Sequence, residues 1–164
     1  MTHETQLDIH SGGCYPANVL SNFYENAFVL DGVACASMEG LLQSLKTRNV
    51  ALQRTVCGYS GRKAKMVFHR RWQNVAWKLT GTLYWQGTPM KRSSDDYQRF
   101  LDRAYRAMLH NEMFADALRD SAGMALTHHI GKQDTRKTIL TEYELVSRLD
   151  RCRQWVLSSE GTTQ

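Results

Sequence analysis

The residues best suited to chemistry lie in one stretch of the chain, at positions 20–48. Glu39 opens an amphipathic segment there. Gln43 and Lys46 follow at steps of four and three residues, which places all three side chains on one stripe of a helix. The helix dipole favours a carboxylate in the first turn. The stripe could therefore present a carboxylate, an amide and an ammonium group to one ligand, although the same spacing is also typical of a solvated helix surface.

An amide and two aromatic rings precede this segment, at Asn22, Phe23 and Tyr24. Rings beside an amide could clamp a flat, polar ring of a ligand. The polar pair that follows favours a turn. A turn flanked by core aromatics is therefore the alternative interpretation.

The order and spacing of these residues resemble the YbiA-like, or NADAR, family of N-glycosidases. The matching pieces are Ser-Asn-Phe at 21–23, Leu-Asp-Gly at 30–32, the helix glutamate Glu39, and a Gln-x-x-Lys pattern from Gln43 to Lys46. The resemblance is good over residues 20–46.

Outside that stretch the resemblance is faint. Asp134 matches a loop aspartate of the family, and Arg70 or Arg71 stands for an arginine that follows a small-residue segment. Gly40 takes the place of the histidine that usually follows the family's catalytic glutamate. The family's Trp-Gly pair near the C-terminus is absent.

The resemblance implies a YbiA-like fold and hydrolysis of a ribose–base N-glycosidic bond. The substrate would be an ADP-ribosylated nucleobase that releases ADP-ribose, or a related nucleotide-like N-glycoside. Glu39 would stabilise the oxocarbenium-like transition state and orient water, and Asp134 would hold the sugar or the water unless it only caps a helix. The substrate-binding residues would be Asn22, Phe23, Tyr24, Gln43, Lys46, Arg70 and Arg71. We expect no cofactor and no metal.

Two other functions remain compatible with the sequence. One is a non-catalytic protein of the same shape that sequesters ADP-ribose-like nucleotides derived from NAD. The other is a basic nucleic-acid-binding module that uses Trp72, Trp77 and the positive charges between Arg62 and Arg71. Several phosphate contacts would make the binding of this last class steeply salt-dependent.

Local signals predict the elements that position the site residues. Phe28-Val29-Leu30 and Val33-Ala34-Cys35 read as two strands of a hairpin, because the Asp-Gly pair between them is a strong signal for a tight turn. Ser37 then suits the N-cap of a helix. The stretch would thus hold a turn, a strand pair and a helix start in one segment.

We expect one α+β domain, mainly helical with a few short strands, over residues 14–157. Residues 1–13 are predicted to form a flexible arm and residues 158–164 a frayed tail. Apolar residues recur at steps of three and four between Asp95 and Met108, which predicts a helix with one face in the core. His128 and His129 follow a late strand, where at most one of two neighbouring side chains can face a given pocket.

Composition narrows the class of partner. The chain has 164 residues, with 21 lysines and arginines against 16 acidic residues and a net charge of +5. This excess suits an anionic partner such as a phosphate-bearing small molecule. The resemblance implies that this partner is a nucleotide-like substrate, including an ADP-ribosylated nucleic acid. Four dispersed cysteines predict reduced thiols without zinc. No apolar run reaches the roughly 20 residues that span a bilayer, so we expect a cytoplasmic protein with no membrane partner.

Overall fold

The computed structural model describes residues 5–160, in which helices predominate over short strands. The helices are α1 (Ala17–Leu20), α2 (Met38–Ser44), α3 (Val50–Cys57), α4 (Gly61–Met66), α5 (Trp72–Thr80), α6 (Asp95–Met108), α7 (Glu112–Asp120) and α8 (Glu142–Glu160). The strands are β1 (Gln6–Asp8), β2 (Phe28–Leu30), β3 (Val33–Cys35), β4 (Thr82–Trp85), β5 (Thr88–Lys91) and β6 (Ala125–Thr127). The chain is a single, mainly helical α+β domain, as the sequence predicts.

The hairpin before α2 forms as predicted. Strands β2 and β3 are antiparallel, with Leu30 paired to Val33. The two residues between them, Asp31 and Gly32, have φ angles of 49° and 78°. Positive φ at both positions is what a type I′ turn requires, which explains the Asp-Gly pair.

Helix α2 lies at the buried centre of the fold. All of its residues are buried, and the Ser37 hydroxyl caps it by accepting a hydrogen bond from the Gly40 N–H at 3.0 Å. A Cβ atom on Gly40 would lie 2.3 Å from the carbonyl oxygen of Tyr59, just beyond α3. Glycine therefore lets α2 pack directly against the end of α3. A histidine in its place would collide with this backbone.

The N-terminal residues form a strand where the sequence predicts a flexible arm. Strand β1 pairs in parallel with β6, in the register Gln6 to Ala125. Ile9 follows β1, is fully buried, and donates its N–H to the Thr127 carbonyl at 2.8 Å. The prediction is wrong from Gln6 onward because a partner strand lies far away in sequence. The first four residues of the predicted arm lie outside the described part of the chain.

Two other local predictions are resolved by the structure. Trp72 begins α5, a helix that Gly81 ends in the left-handed conformation at φ 63°, whereas the sequence left strand and helix both open. Helix α8 continues to Glu160, so the described part of the predicted frayed tail is helical. Residues 161–164 lie beyond the described range.

Candidate functional site

A cavity of about 450 Å³ lies beside the start of α2. Its lining comes from Ser11 and from residues within four segments, at positions 21–23, 39–46, 65–78 and 128–145. The predicted site residues Asn22, Phe23, Glu39, Gln43 and Lys46 all contribute to it. Its volume falls within the roughly 300–1,000 Å³ typical of small-molecule sites.

Glu39 supplies the negative charge of the cavity. Its side chain is only 7% exposed, and its Oε1 atom accepts a hydrogen bond of 2.9 Å from Gln43 Nε2. Lys65 Nζ lies 3.8 Å from the same oxygen. The Glu39 N–H donates to the Asn22 carbonyl at 3.0 Å, which ties the helix to the preceding turn. Among the described lining residues, Glu39 is the only acidic one.

The side-chain oxygen of Gln43 receives no hydrogen bond within the described residues. The residue is 2% exposed, and Oε1 has no hydrogen-bond partner among residues 5–160. A carboxylate accepts hydrogen bonds and donates none, so Glu39 holds the amide with Nε2 toward itself. The Gln43 carbonyl oxygen is therefore a buried acceptor without a donor, on a residue that lines the cavity.

Lys46 is held at the cavity wall by helix α5. Its Nζ donates to Asn74 Oδ1 at 2.9 Å, and the Trp77 indole N–H donates to the same oxygen at 3.3 Å. The Lys46 Nζ also lies 5.8 Å from the centroid of the Trp77 ring. The pKa of Lys46 is lowered to about 8, chiefly by burial; Glu39 opposes this shift, and Lys65 and Lys78 add to it.

Positive charge dominates the lining. Five lysines contribute, which we call the cavity lysines: Lys46, Lys65, Lys78, Lys132 and Lys137. Lys65 lies 3.8 Å from Glu39 Oε1, whereas Lys137 lies 3.8 Å from Asp134 Oδ2. Because low-dielectric walls strengthen such a field, the cavity is suited to an anionic ligand.

The turn before β2 contributes one amide and one ring. The buried Tyr105 hydroxyl donates to Asn22 Oδ1 at 2.8 Å, which fixes that amide and leaves its nitrogen as the donor for a ligand. Burial raises the pKa of Tyr105, so its hydroxyl keeps the proton it donates. Phe23 lines the cavity. Tyr24 does not, and its hydroxyl donates to Met113 Sδ at 3.1 Å instead.

Three further predicted residues lie outside the cavity lining. The Asp134 carboxylate accepts hydrogen bonds from the backbone and guanidinium of Arg136, which lower its pKa. This local ion pair keeps Asp134 in its own turn. Arg70 and Arg71 are exposed in the segment before α5, and Lys65 is the charged residue that lines that side.

Only one of the two neighbouring histidines faces the cavity. His128 lines it, and its Nδ1 lies 2.6 Å from the Ile9 carbonyl oxygen. His129 instead lies against Asp8, with 3.2 Å between Nδ1 and Oδ1. Because a carbonyl only accepts, the His128 Nδ1 carries a proton and Nε2 is the other reactive nitrogen.

A buried ion pair, Arg92–Glu144, holds the part of the cavity wall that contains Thr138 and Thr141. Arg92 donates to both oxygens of Glu144, at 2.9 and 2.7 Å, and its Nε donates to the Thr138 carbonyl at 3.1 Å. The Thr141 N–H donates to Glu144 Oε2 at 2.7 Å, and the Thr141 hydroxyl accepts from the Glu144 N–H. This capping box starts α8. Burial acts to raise the pKa of Glu144, but these hydrogen bonds outweigh it and the pKa is lowered.

Sequence reasoning missed the contribution of α5 to the cavity. Asn74 and Lys78 lie one helical turn apart on it, and Trp77 lies beside them. Residues four apart share a face only in a helix, and the sequence did not decide between helix and strand here. The shared face of Asn74 and Lys78 could therefore not be predicted. Trp77 is 3% exposed, whereas Trp72 is 71% exposed, so the two do not form a shared binding surface.

Residues 5–160 contain neither a membrane-spanning helix nor a cluster of metal-binding side chains. No helix between residues 5 and 160 has both the length and the apolar content needed to cross a membrane. In the same range, no group of three or more His, Cys, Asp and Glu side chains is arranged to hold a metal ion.

Comparison with known proteins identifies a family. The family model described as bacteriophage protein GP30.3 matches residues 14–154, which include almost the whole cavity lining. An Enterobacteria phage T4 protein, described as an uncharacterized 17.1 kDa protein in the Gp30-rIII intergenic region, is 37% identical over 153 residues. The match covers 91% of this chain and 97% of the phage T4 protein. No solved structure matches with statistical significance. The chain belongs to the bacteriophage GP30.3 family.

Proposed function

We propose that the cavity hydrolyses an N-glycosidic bond between a ribose and a base. The substrate is an ADP-ribosylated nucleobase, from which ADP-ribose is released, or a related nucleotide-like N-glycoside. The observation that carries the proposal is the buried carboxylate of Glu39 in a cavity to which five lysines also contribute. The resemblance of residues 20–46 to the NADAR N-glycosidases supports the same chemistry.

The chemistry needs a negative charge close to the anomeric carbon. As the bond from that carbon to the base nitrogen breaks, positive charge develops on the sugar, and Glu39 stabilises it and orients the attacking water. Gln43 keeps the carboxylate in place through its hydrogen bond of 2.9 Å. Because the charge appears chiefly in the transition state, this interaction raises the rate more than it raises affinity.

The remaining lining accounts for substrate binding. The cavity lysines meet the phosphate groups, as ammonium groups commonly do. Phe23 stacks on the base, and the Asn22 amide nitrogen, oriented by Tyr105, donates to the base edge or to the ribose. Stacking of this kind contributes about 1–3 kcal/mol per base.

One observation favours a second candidate, a protein that binds and sequesters ADP-ribose-like nucleotides without cleaving them. Most glycoside hydrolases use two carboxyl groups. Here Asp134 is engaged by Arg136, and Glu39 is the only acidic residue among the described residues of the lining. Binding of ADP-ribose without cleavage of any N-glycoside would support this candidate.

The decisive experiment measures ADP-ribose released from an oligonucleotide that carries an ADP-ribosylated base. Glu39→Gln keeps the size of the side chain and removes its charge, so we expect single-turnover cleavage to fall by about 10²-fold or more with little change in affinity. Glu112→Gln is the matched control, because Glu112 also lies in the first turn of a helix, α7, but is exposed and outside the cavity lining.

The control variant should cleave at the rate of the unmodified protein. A rate for Glu39→Gln within about threefold of the unmodified protein would remove Glu39 from catalysis. Tight binding with no cleavage in the unmodified protein would replace the hydrolase with the sequestering protein.

A further inference from the structure

Two buried glutamines of this protein differ in how their amides are used. Gln53 and Gln43 are each 2% exposed. Gln53 donates to the carbonyls of Ser44 and Tyr84 at 3.1 and 2.8 Å, and its Oε1 accepts from the Gln86 N–H at 2.8 Å. Gln43 donates to Glu39, and its Oε1 accepts from no group within residues 5–160.

Phosphate cannot satisfy the open acceptor of Gln43. At neutral pH the oxygens of a phosphodiester or pyrophosphate accept hydrogen bonds, as the amide oxygen does. The cavity lysines can hold such oxygens, whereas Gln43 Oε1 requires a hydroxyl or an N–H. The cavity is therefore built for a ligand with two unlike ends, one that is anionic and one that donates hydrogen bonds. A sugar phosphate has this character.

We infer that Gln43 Oε1 accepts a hydrogen bond from the ribose hydroxyl next to the anomeric carbon, and that Gln43 makes the cavity selective for ribose over 2-deoxyribose. The inference rests on the proposed function, in which Glu39 faces the anomeric carbon. The distance of 2.9 Å from Gln43 Nε2 to Glu39 Oε1 keeps the two side chains in contact. The hydroxyl beside the anomeric carbon is then the sugar donor closest to Gln43.

The test compares two ligands on the intact protein by calorimetry. The ligands are ADP-ribose and its analogue without the hydroxyl next to the anomeric carbon of the terminal ribose. We expect the analogue to bind about tenfold more weakly, because a buried acceptor designed for a hydroxyl is left unpaired. Neither ligand carries a base on that ribose, so the readout does not depend on cleavage.

Variants then assign the preference to one side chain. Gln43→Met replaces the amide with an apolar chain of similar length, and both ligands should then bind within about twofold of each other. Gln53→Met is the matched control and should retain the preference of the unmodified protein, since Gln53 lies outside the cavity lining.

Three outcomes would overturn the inference. They are equal affinities in the unmodified protein, a preference that survives in Gln43→Met, and a failure to bind ADP-ribose. A nucleobase N–H is the other donor that could reach Oε1. Equal affinities for the two sugars, combined with a ligand bearing the base that loses affinity in Gln43→Met, would assign the acceptor to the base instead. The cleavage assay with Glu39→Gln judges the hydrolase separately, so a failure of the sugar preference can be distinguished from a failure of the proposed function.

Discussion

The cavity and the Arg92–Glu144 ion pair are both buried and polar, but their hydrogen bonding differs. Arg92 and Glu144 are 3% and 6% exposed, and both carboxylate oxygens of Glu144 receive donors. In the cavity, Gln43 keeps an acceptor without a donor and Lys46 has a lowered pKa. The saturated pair contributes to the fold, whereas the unpaired acceptor of Gln43 belongs to the cavity lining, where we propose that a ligand binds. Burial alone therefore does not distinguish the two roles.

Breaking the saturated network should have the largest effect on stability. Arg92→Met leaves the Glu144 carboxylate buried without its main partner, so we expect a loss of about 3–5 kcal/mol in the free energy of unfolding, measured by urea denaturation. Arg99→Met is the control, because the ion pair between Arg99 and Asp96 is exposed and should contribute less than about 1 kcal/mol. If both variants lost a similar free energy of unfolding, the buried pair would stabilise the protein no more than an exposed ion pair does.

The buried glutamines Gln53 and Gln43 allow the same comparison, with an effect on stability of intermediate size. Gln53→Met leaves two carbonyls and one N–H without their partner, so unfolding should become easier by about 1–3 kcal/mol. Gln43→Met loses one hydrogen bond but also removes an unpaired acceptor, and we expect a change within about 1 kcal/mol. Thermal unfolding of the two variants side by side measures the difference. A larger loss for Gln43→Met would mean that its amide is structural.

The smallest expected effect is a pH dependence of Lys46, with opposite signs for binding and stability. Its pKa is about 8 in the folded protein against an ordinary 10.5, so the fold disfavours the protonated lysine. That destabilisation is fully present below about pH 8 and disappears as the pH rises toward 10.5. Affinity for a phosphate ligand should instead fall as the pH rises through about 8, by roughly fivefold, because the ammonium charge is lost.

Isothermal titration with ADP-ribose between pH 7 and pH 9.5 checks the binding half of this prediction. Lys46→Met should bind more weakly and lose the pH dependence. Lys91→Met is a suitable control, because Lys91 lies on β5 and outside the cavity lining. A pH profile that is unchanged in Lys46→Met would show that another group titrates.

The sequence could predict those parts of the site that depend on neighbours in the chain. Asp31-Gly32 forms a turn and Ser37 caps a helix through contacts with residues nearby in the chain. The sequence could therefore predict the hairpin and the start of α2. The sequence could not decide whether Asp134 binds substrate or only caps, because the position of a residue in a motif does not tell where its side chain points. Arg136, two residues later, binds the Asp134 carboxylate locally.

Contacts between distant segments could not be read in this way. His128 reaches the cavity because β1 and β6 pair, and its contact with Ile9 joins residues 119 positions apart. No local pattern in the first ten residues identifies a partner strand so far along the chain. The cavity lysines are likewise brought together by packing, since Lys46 and Lys132 lie in different segments of the fold.

The close packing at Gly40 limits how this site can change during evolution. Any larger residue there would press against the Tyr59 carbonyl, so the position beside Glu39 cannot acquire a new acid, base or ligand contact while α3 keeps its place. Residues 128–145 face the same cavity from a wall that includes an exposed loop, where exchanges disturb less packing. Relatives with different substrates should therefore share the glycine and differ in that loop.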